Sequence, residues 1–321
     1  MNILIYNSGG GLGDSIQLFN TINSLNNKFK NSKIFYLGAH HNHFMDRLKE
    51  YQLKIENYDL NLEYFGFRWK HLFQVKDRLK NNLKINFDLI VDIQSKLRNT
   101  IILKRLDYKL FYSPTLNFLF CNKKSKFIRT KNNIDQILIN LEKILETNIP
   151  LVKYDISQIN KKYHDEATRL LPNNNYVGFS ITQGNQYRKK TWPLEKFINV
   201  ANNLKEQTPV FFVEKHKTEL IKKISSSVKS AIFPEMNSSI SCPALITTMT
   251  KRLQKVVTID NGIMHMMGLA DTPMIAIFGP TDPSKFAPKI NNIKILDSKK
   301  IYNSEDISKI TEVEVLNLIE T

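Results

Sequence analysis

The chain has 321 residues, 42% of them apolar, which suits two domains of about 150 residues better than one core. No apolar stretch approaches the roughly 18–20 residues of a membrane-spanning helix, and Cys121 and Cys242 stand far apart without a metal-ligand spacing, so a helical membrane protein, a disulfide framework and a cysteine zinc site are excluded. Lys and Arg number 46 against 30 Asp and Glu, a formal charge of +16 that suits an anionic partner: nucleic acid, a phosphorylated sugar or an anionic membrane face.

The abundance of Lys, Asn and Ile offers a purely compositional origin for the same charge. The sparse cysteines fit a reducing cytoplasm. Met1–Tyr6 runs straight into a strand and lacks the basic and long apolar regions of a signal peptide, so a soluble cytoplasmic protein is expected.

In chain order, Asn2–Tyr6 reads as a strand, Asp14–Lys30 as a helix and Lys33–Leu37 as a strand. Phe87–Asp92 is another strand, followed by a helical stretch from Ser95 to Arg105. The rhythm breaks around Thr147–Asp155 and restarts with Tyr176–Ser180 (strand), Pro193–Lys205 (helix), Val210–Val213 (strand) and His216–Ser226 (helix). Val256–Ile259, the helix Gly262–Ala270, Met274–Phe278 and a last helix from about Ser304 to Ile319 complete it. Alternation of this kind predicts parallel sheets covered by helices, an α/β fold in two halves, 1–155 and 156–321.

Between the first strand and helix stands "YNSGGGLGDSIQ", Tyr6–Gln17. It is not a dinucleotide fingerprint, because the third glycine position falls on Asp14 and the second strand ends on Leu37-Gly38 without a ribose-binding acid. No Gly-Lys-Ser/Thr follows, so it is not a Walker A loop. A carboxylate over a side-chain-free turn repels phosphate and suits a base that faces a neutral hydroxyl. The alternative is that Asp14 only caps the first helix.

In the second half, "FSITQGNQYRKKTWPLEKF", Phe179–Phe197, brings Arg188, Lys189 and Lys190 to the start of a proline-led helix. Those cations neutralise a diphosphate or simply line a solvated loop. "VVTIDNGIMHMMGLADTPMIAIFGPTDP", Val256–Pro283, puts Asp260 at a buried strand's end, where Gly262 leaves the N–H groups of a helix start open to an anion. His265 lies one turn in, as a ligand contact or a core residue, and Met264, Met266 and Met267 read as core.

Four segments in order, "GLGDSIQ", "FDLIVDIQSKLRNTIIL" (Phe87–Leu103), "KTWPLEKF" and "TIDNGIMHMMGLADTPMIAIFGPTDP", resemble glycosyltransferase family 9, the ADP-heptose:lipopolysaccharide heptosyltransferases. The resemblance covers about Asn2 to Pro283. It implies a GT-B fold, two Rossmann-like domains facing across a cleft, with the last helix packing back on the N-terminal domain. It implies inverting transfer of heptose from a nucleotide-diphosphate sugar, ADP-heptose first, to a lipid-linked lipopolysaccharide core acceptor. Peripheral contact with the anionic inner face of the bacterial inner membrane follows.

Carried over by position, Asp14 is the general base, with Gly13, Gln94 and Arg98 on the acceptor side. Thr182, Lys190, Asp260, Asn261, Gly262, Ile263 and His265 hold the donor, Lys190 on the diphosphate and Asp260 on sugar hydroxyls. Glu219, in preference to Glu214, takes the ribose. Asn261 departs from the family's usual threonine. No Asp-x-Asp motif occurs, so no metal and no cofactor are expected.

An Arg68, Lys70 and His71 cluster meets an acidic acceptor sugar or is a plain basic loop. The alternatives are a relative that uses another nucleotide sugar and a sugar-nucleotide epimerase of the same fold, which needs acid/base groups on both sides of the ring. A nucleic-acid partner is not expected, for want of a recognisable motif.

Overall fold

A computed structural model of the protein describes residues 1–80, 84–123, 125–183 and 190–320. The chain divides into two units, Met1–Asp155 and Ile156–Thr321. In the first, β1 (Asn2–Asn7), β2 (Lys33–Gly38), β3 (Glu56–Asn57), β4 (Phe87–Asp92) and β5 (Tyr108–Tyr112) form one parallel sheet in the order β3-β2-β1-β4-β5. In the second, β6 (Tyr176–Ser180), β7 (Thr208–Phe212), β8 (Lys255–Ile259), β9 (Met274–Phe278) and β10 (Ile293–Asp297) are also all parallel, in the order β10-β9-β8-β6-β7. The central strands are apolar runs buried on both faces, as a sheet covered by helices requires.

Each sheet reverses its strand order beside its first strand, at β1 and β4 in one and at β6 and β8 in the other. Connections leave such a point to opposite faces and open a crevice at the carboxyl ends of the strands. Both turns that stand out in the sequence follow strands at these reversals.

Several expectations are corrected. The long first helix is two, Leu12–Ile16 and Phe19–Lys28, with Gln17 and Leu18 between them. Strands β3, β5 and β10 and the helices His71–Lys80, Ile137–Leu145, Lys161–Leu170 and Pro243–Thr250 add to the expected set. The last of these, rich in threonine, is buried almost throughout. Its Thr247, Thr248 and Thr250 hydroxyls donate to Met266 O, Tyr163 O and Ile246 O, which removes the usual cost of burying them.

The final helix runs from Glu312 to Glu320 rather than from about Ser304. Thr311 and Glu314 form a reciprocal cap that sets its start, with Thr311 N donating to Glu314 (2.7 Å) and Glu314 N to the Thr311 hydroxyl (3.3 Å). Val315 and Ile319 enter the core of the second unit with Trp192 and Phe197, and Lys255 Nζ donates to the carbonyls of Leu318 (2.7 Å) and Ile319 (3.0 Å). Within the second unit, then, the apolar face of this helix joins the core. Among the described residues no helix is long and apolar enough to cross a membrane.

Candidate functional site

In the first unit, β1 ends at Asn7 and the chain turns through Ser8–Gly11 into the helix Leu12–Ile16. Asn7 Oδ1 accepts from Gly9 N (2.8 Å) and from Gln94 Nε2 (3.1 Å). Gln94 follows β4, so this amide ties the two turns together across the reversal. A Cβ on Gly9 would lie 2.7 Å from Asp14 Oδ2, and one on Gly10 would lie 2.9 Å from the His40 ring, so the glycines are what let the backbone pass beneath these side chains.

Asp14 is half-buried at the third helical position, not the N-cap. Its Oδ2 accepts from Gly11 N at 3.2 Å, and Oδ1 has no hydrogen bond among the described residues. Capping and an available carboxylate oxygen thus coexist in one side chain. Gly13 is buried inside the same helix.

Behind Gln94, the fully buried Asp92 accepts from Gln94 N (2.9 Å), Thr100 (2.7 Å) and Ser113 (2.8 Å). Burial pushes its carboxyl up to about 6 against those donors. Arg98 Nε donates to Gly66 O (3.0 Å) and its guanidinium sits 5.9 Å from the Phe67 ring centre; that ring lies 5.7 Å from the His40 ring. The expected Arg68, Lys70 and His71 cluster is split. Arg68 and Lys70 are exposed, but His71 is buried, accepts from Gly66 N at 3.2 Å and stacks on Phe65. Burial, with Lys70 and Arg68 nearby, holds His71 below its ordinary value.

In the second unit, β8 ends at Ile259, and Asn261 in extended conformation caps the helix Gly262–Gly268. Its Oδ1 accepts from Met264 N (2.8 Å), while Nδ2 donates to Ser180 Oγ (2.8 Å) and Thr182 O (2.9 Å) at the end of β6. The side chain does for β8 and β6 what Asn7 does for β1 and β4. Threonine has no second polar arm and cannot make this bridge, which is a physical reason for the asparagine. Gly262 and Ile263 are half-buried at the helix start, whose first N–H groups have no helical partner. Thr182 and His265 are buried.

Lys190 Nζ stands 2.5 Å from Asp260 Oδ2, with the Phe286 ring centre 5.6 Å away. Both partners are largely buried. The sequence offered them as separate contacts, for diphosphate and for sugar; the structure joins them. Gln183 Oε1 fixes the lysine by accepting from Lys190 N and from the Thr191 hydroxyl, both at 3.0 Å. Trp192 is fully buried and donates to Ile310 O (3.0 Å), and Lys196 donates to Ser308 O and Ile310 O, so the proline-led helix start is pinned. Arg188 and Lys189 lie outside the described residues.

In the Gly-Pro-Thr-Asp-Pro turn, a Cβ on Gly279 would lie 2.8 Å from Glu305 O, and Asp282 caps the next turn through Ser284 N (2.9 Å).

The two glutamates offered for the ribose stand in different surroundings. Glu219 is exposed and paired with Lys222 at 3.1 Å, one turn along its helix. Glu214, at the end of β7, is half-buried beside Thr182. Burial works to raise its carboxyl, but bonds to its own backbone and to Thr182, with the Lys217 charge, hold it below the usual range. Asn7, Gln183, Trp192 and Phe286 were not singled out as site residues. For Gln183 the available signal was its place directly after Thr182, and for Trp192 its place two residues after Lys190; Asn7 and Phe286 carried none. Among the described residues no group of three or more His, Cys, Asp or Glu is placed to hold a metal ion.

A family model described as glycosyltransferase family 9 (heptosyltransferase) matches residues 76–316. Among solved structures, the chain is similar to a glycosyl transferase family 9 protein from Veillonella parvula, at 18% identity and a TM-score of 0.71, over 100% of this chain and 97% of that one. It is similar to E. coli heptosyltransferase WaaC with ADP at 17% identity and 0.70, over 100% and 99% of the two chains. E. coli ADP-heptose lps heptosyltransferase II follows at 13% and 0.65, over 100% and 98%. No curated protein matches. The likeness fixes the fold class as GT-B, each of its two units an α/β sandwich on a parallel sheet.

Proposed function

The chain belongs to glycosyltransferase family 9, and from that premise we propose an inverting, metal-independent transfer of heptose from a nucleotide-diphosphate donor, ADP-heptose first, to a lipid-linked lipopolysaccharide core. The acceptor is met at the cytoplasmic face of the bacterial inner membrane. One observation carries the reading: equivalent places in the two sheets hold opposite chemistry. The first has a carboxylate with an uncommitted oxygen above glycines. The second has a fixed cation beside an open helix start.

In the proposed step, Asp14 accepts the proton of the acceptor hydroxyl as its oxygen bonds to the anomeric carbon. The bond from that carbon to the diphosphate breaks on the opposite face, which inverts the centre. Charge growing on the departing diphosphate is met by Lys190 and by the N–H groups at Gly262 and Ile263. Asp260 turns from Lys190 to the sugar hydroxyls as the diphosphate takes the lysine, and Glu214 beside Thr182 suits the ribose better than Glu219.

The test is turnover of ADP-heptose on a deacylated lipopolysaccharide core, with the product anomer read by NMR. Thermal shifts with ADP, GDP, UDP and CDP identify the base. An inverted product formed in the presence of EDTA supports the reading. Retention of configuration, or loss with EDTA that Mg²⁺ restores, overturns the mechanism.

A further inference from the structure

Three of the chain's seven histidines, His40, His41 and His43, fall within four positions directly after β2, and the transfer step uses none of them. β2 lies beside β1 with Gly38 opposite Asn7, and Ala39 N donates to Asn7 O (3.3 Å), so this segment starts against the Asp14 turn. Asn42 Oδ1 accepts from Phe44 N (3.0 Å), and Asn42 Nδ2 donates to Asn57 Oδ1 (2.7 Å). Phe44 is buried against Tyr36, their ring centres 5.0 Å apart. His43 is thus held between two anchored neighbours.

His41 is exposed and pairs with Asp46 at 3.1 Å. His43 is buried, and its Nε2 lies 3.2 Å from Gly10 O. A carbonyl oxygen only accepts, so Nε2 carries the proton. The same peptide unit, between Gly10 and Gly11, donates its N–H to Asp14 Oδ2 at 3.2 Å. One peptide plane is therefore held at its oxygen by an imidazole and at its nitrogen by the carboxylate.

We propose that His43 is a positioning residue for Asp14: it fixes the Gly10–Gly11 peptide, whose N–H in turn holds Oδ2 and leaves Oδ1 for the acceptor hydroxyl. The glycines make such a hold necessary, because a peptide between two residues without Cβ rotates more freely than any other. A donor on the carbonyl also polarises the N–H at the other end and strengthens its bond to the carboxylate.

Stability alone does not account for the residue. His43 Nδ1 is buried with no hydrogen-bond partner among the described residues, a cost that an apolar side chain avoids. Burial, with His41 and Arg47 adding to it, holds the imidazole below its ordinary value, against the Gly10 bond and Asp46. The inference rests on the reading of Asp14 as the base.

The experiment compares His43→Leu, which fills the space without a donor, with His43→Gln, whose amide donates. His43→Leu should lower kcat about 10²-fold, the scale of a misplaced catalytic group. ADP affinity by calorimetry should not change, and thermal unfolding should come no earlier than in the wild type. His43→Gln should restore turnover to within a few-fold. In protein labelled with ¹⁵N-glycine, the Gly11 amide signal should move in His43→Leu and return towards its wild-type place in His43→Gln.

An unmoved Gly11 signal, a leucine variant within a few-fold of wild-type turnover, or a glutamine variant as slow as the leucine one would overturn the proposal. So would a loss of turnover that only follows a loss of stability. The Gly11 signal is read without turnover, so a wild type inactive on ADP-heptose would sink the transferase reading while that signal still decides the hold on the turn.

Discussion

The two units repeat one construction: a five-stranded parallel sheet, a reversal of strand order, and an asparagine amide that ties the turns on either side of it. Asn7 does so in the first unit and Asn261 in the second, and what differs is the charge placed on each bridge. Beside Asn7 stands a carboxylate over glycines; beside Asn261 stands a lysine–aspartate pair against a helix start. The scaffold supplies a crevice in both cases, and a few side chains decide which charges stand in it.

The largest expected effect breaks the first half of that contrast. Asp14→Asn keeps an acceptor for Gly11 N but removes the carboxylate proposed as the base, so turnover should fall about 10²–10⁴-fold. ADP affinity, measured by calorimetry, should stay as in the wild type. Turnover within a few-fold of wild type would reduce Asp14 to a cap.

The second half is broken at the Lys190–Asp260 pair. Either single alanine substitution strands a largely buried charge and should cost the second unit about 3 kcal/mol. The double substitution should recover part of that, because no charge is left alone. Lys190→Ala should also lower kcat/KM more than it weakens ADP binding, since the diphosphate charge grows as the bond breaks. Additive stability losses in a denaturation cycle would mean that the two side chains are uncoupled.

These contrasts were only partly legible in the sequence. The strands, the Asp-Asn-Gly turn and the glycine turn could be read because each is local: an apolar run, then residues that free or cap a backbone. The Lys190–Asp260 and Asn7–Gln94 contacts join residues 70 and 87 positions apart, and only the sheet order brings them together. Glu214 differs from Glu219 by lying before its helix rather than on it, a boundary that periodicity places poorly. Periodicity alone does not assign the last helix to a unit, because its apolar face names no partner. Its start, by contrast, was written in Thr311-x-x-Glu314.

A pH series sharpens the comparison. Burial raises Glu235 in the second unit from 4.5 to about 7, with Glu214 adding to the rise and the Ser241 hydroxyl opposing it. Between those values the folded chain keeps a proton that the unfolded chain has lost, so stability falls as pH rises through this window and levels off above it. The shift corresponds to about 3 kcal/mol as an upper bound. Asp92 imposes a like loss on the first unit in a lower window, from 3.8 to about 6. Thermal unfolding of Glu235→Gln should lose the upper part of the slope and keep the lower. A slope unchanged by the substitution would show that Glu235 does not titrate there.

The smallest effect tests the bridge in the second unit. Asn261→Thr restores the residue usual in the family, and its hydroxyl can still cap the helix through Met264 N. It cannot also reach Ser180 and Thr182, so the buried Ser180 hydroxyl and the Thr182 carbonyl each lose the amide partner that Asn261 gives them. The expected cost is about 1–2 kcal/mol. Because the amide holds the β6 and β8 turns in register, Lys190 should also loosen against Asp260, and ADP affinity should weaken a few-fold while Asp14-dependent chemistry at saturating donor is spared. The same exchange has no counterpart in the first unit, where Asn7 caps no helix. A destabilised Asn261→Thr protein with unchanged ADP affinity would separate the bridge from the donor site. An Asn261→Thr protein as stable as wild type would mean that the amide bridge contributes nothing the threonine lacks.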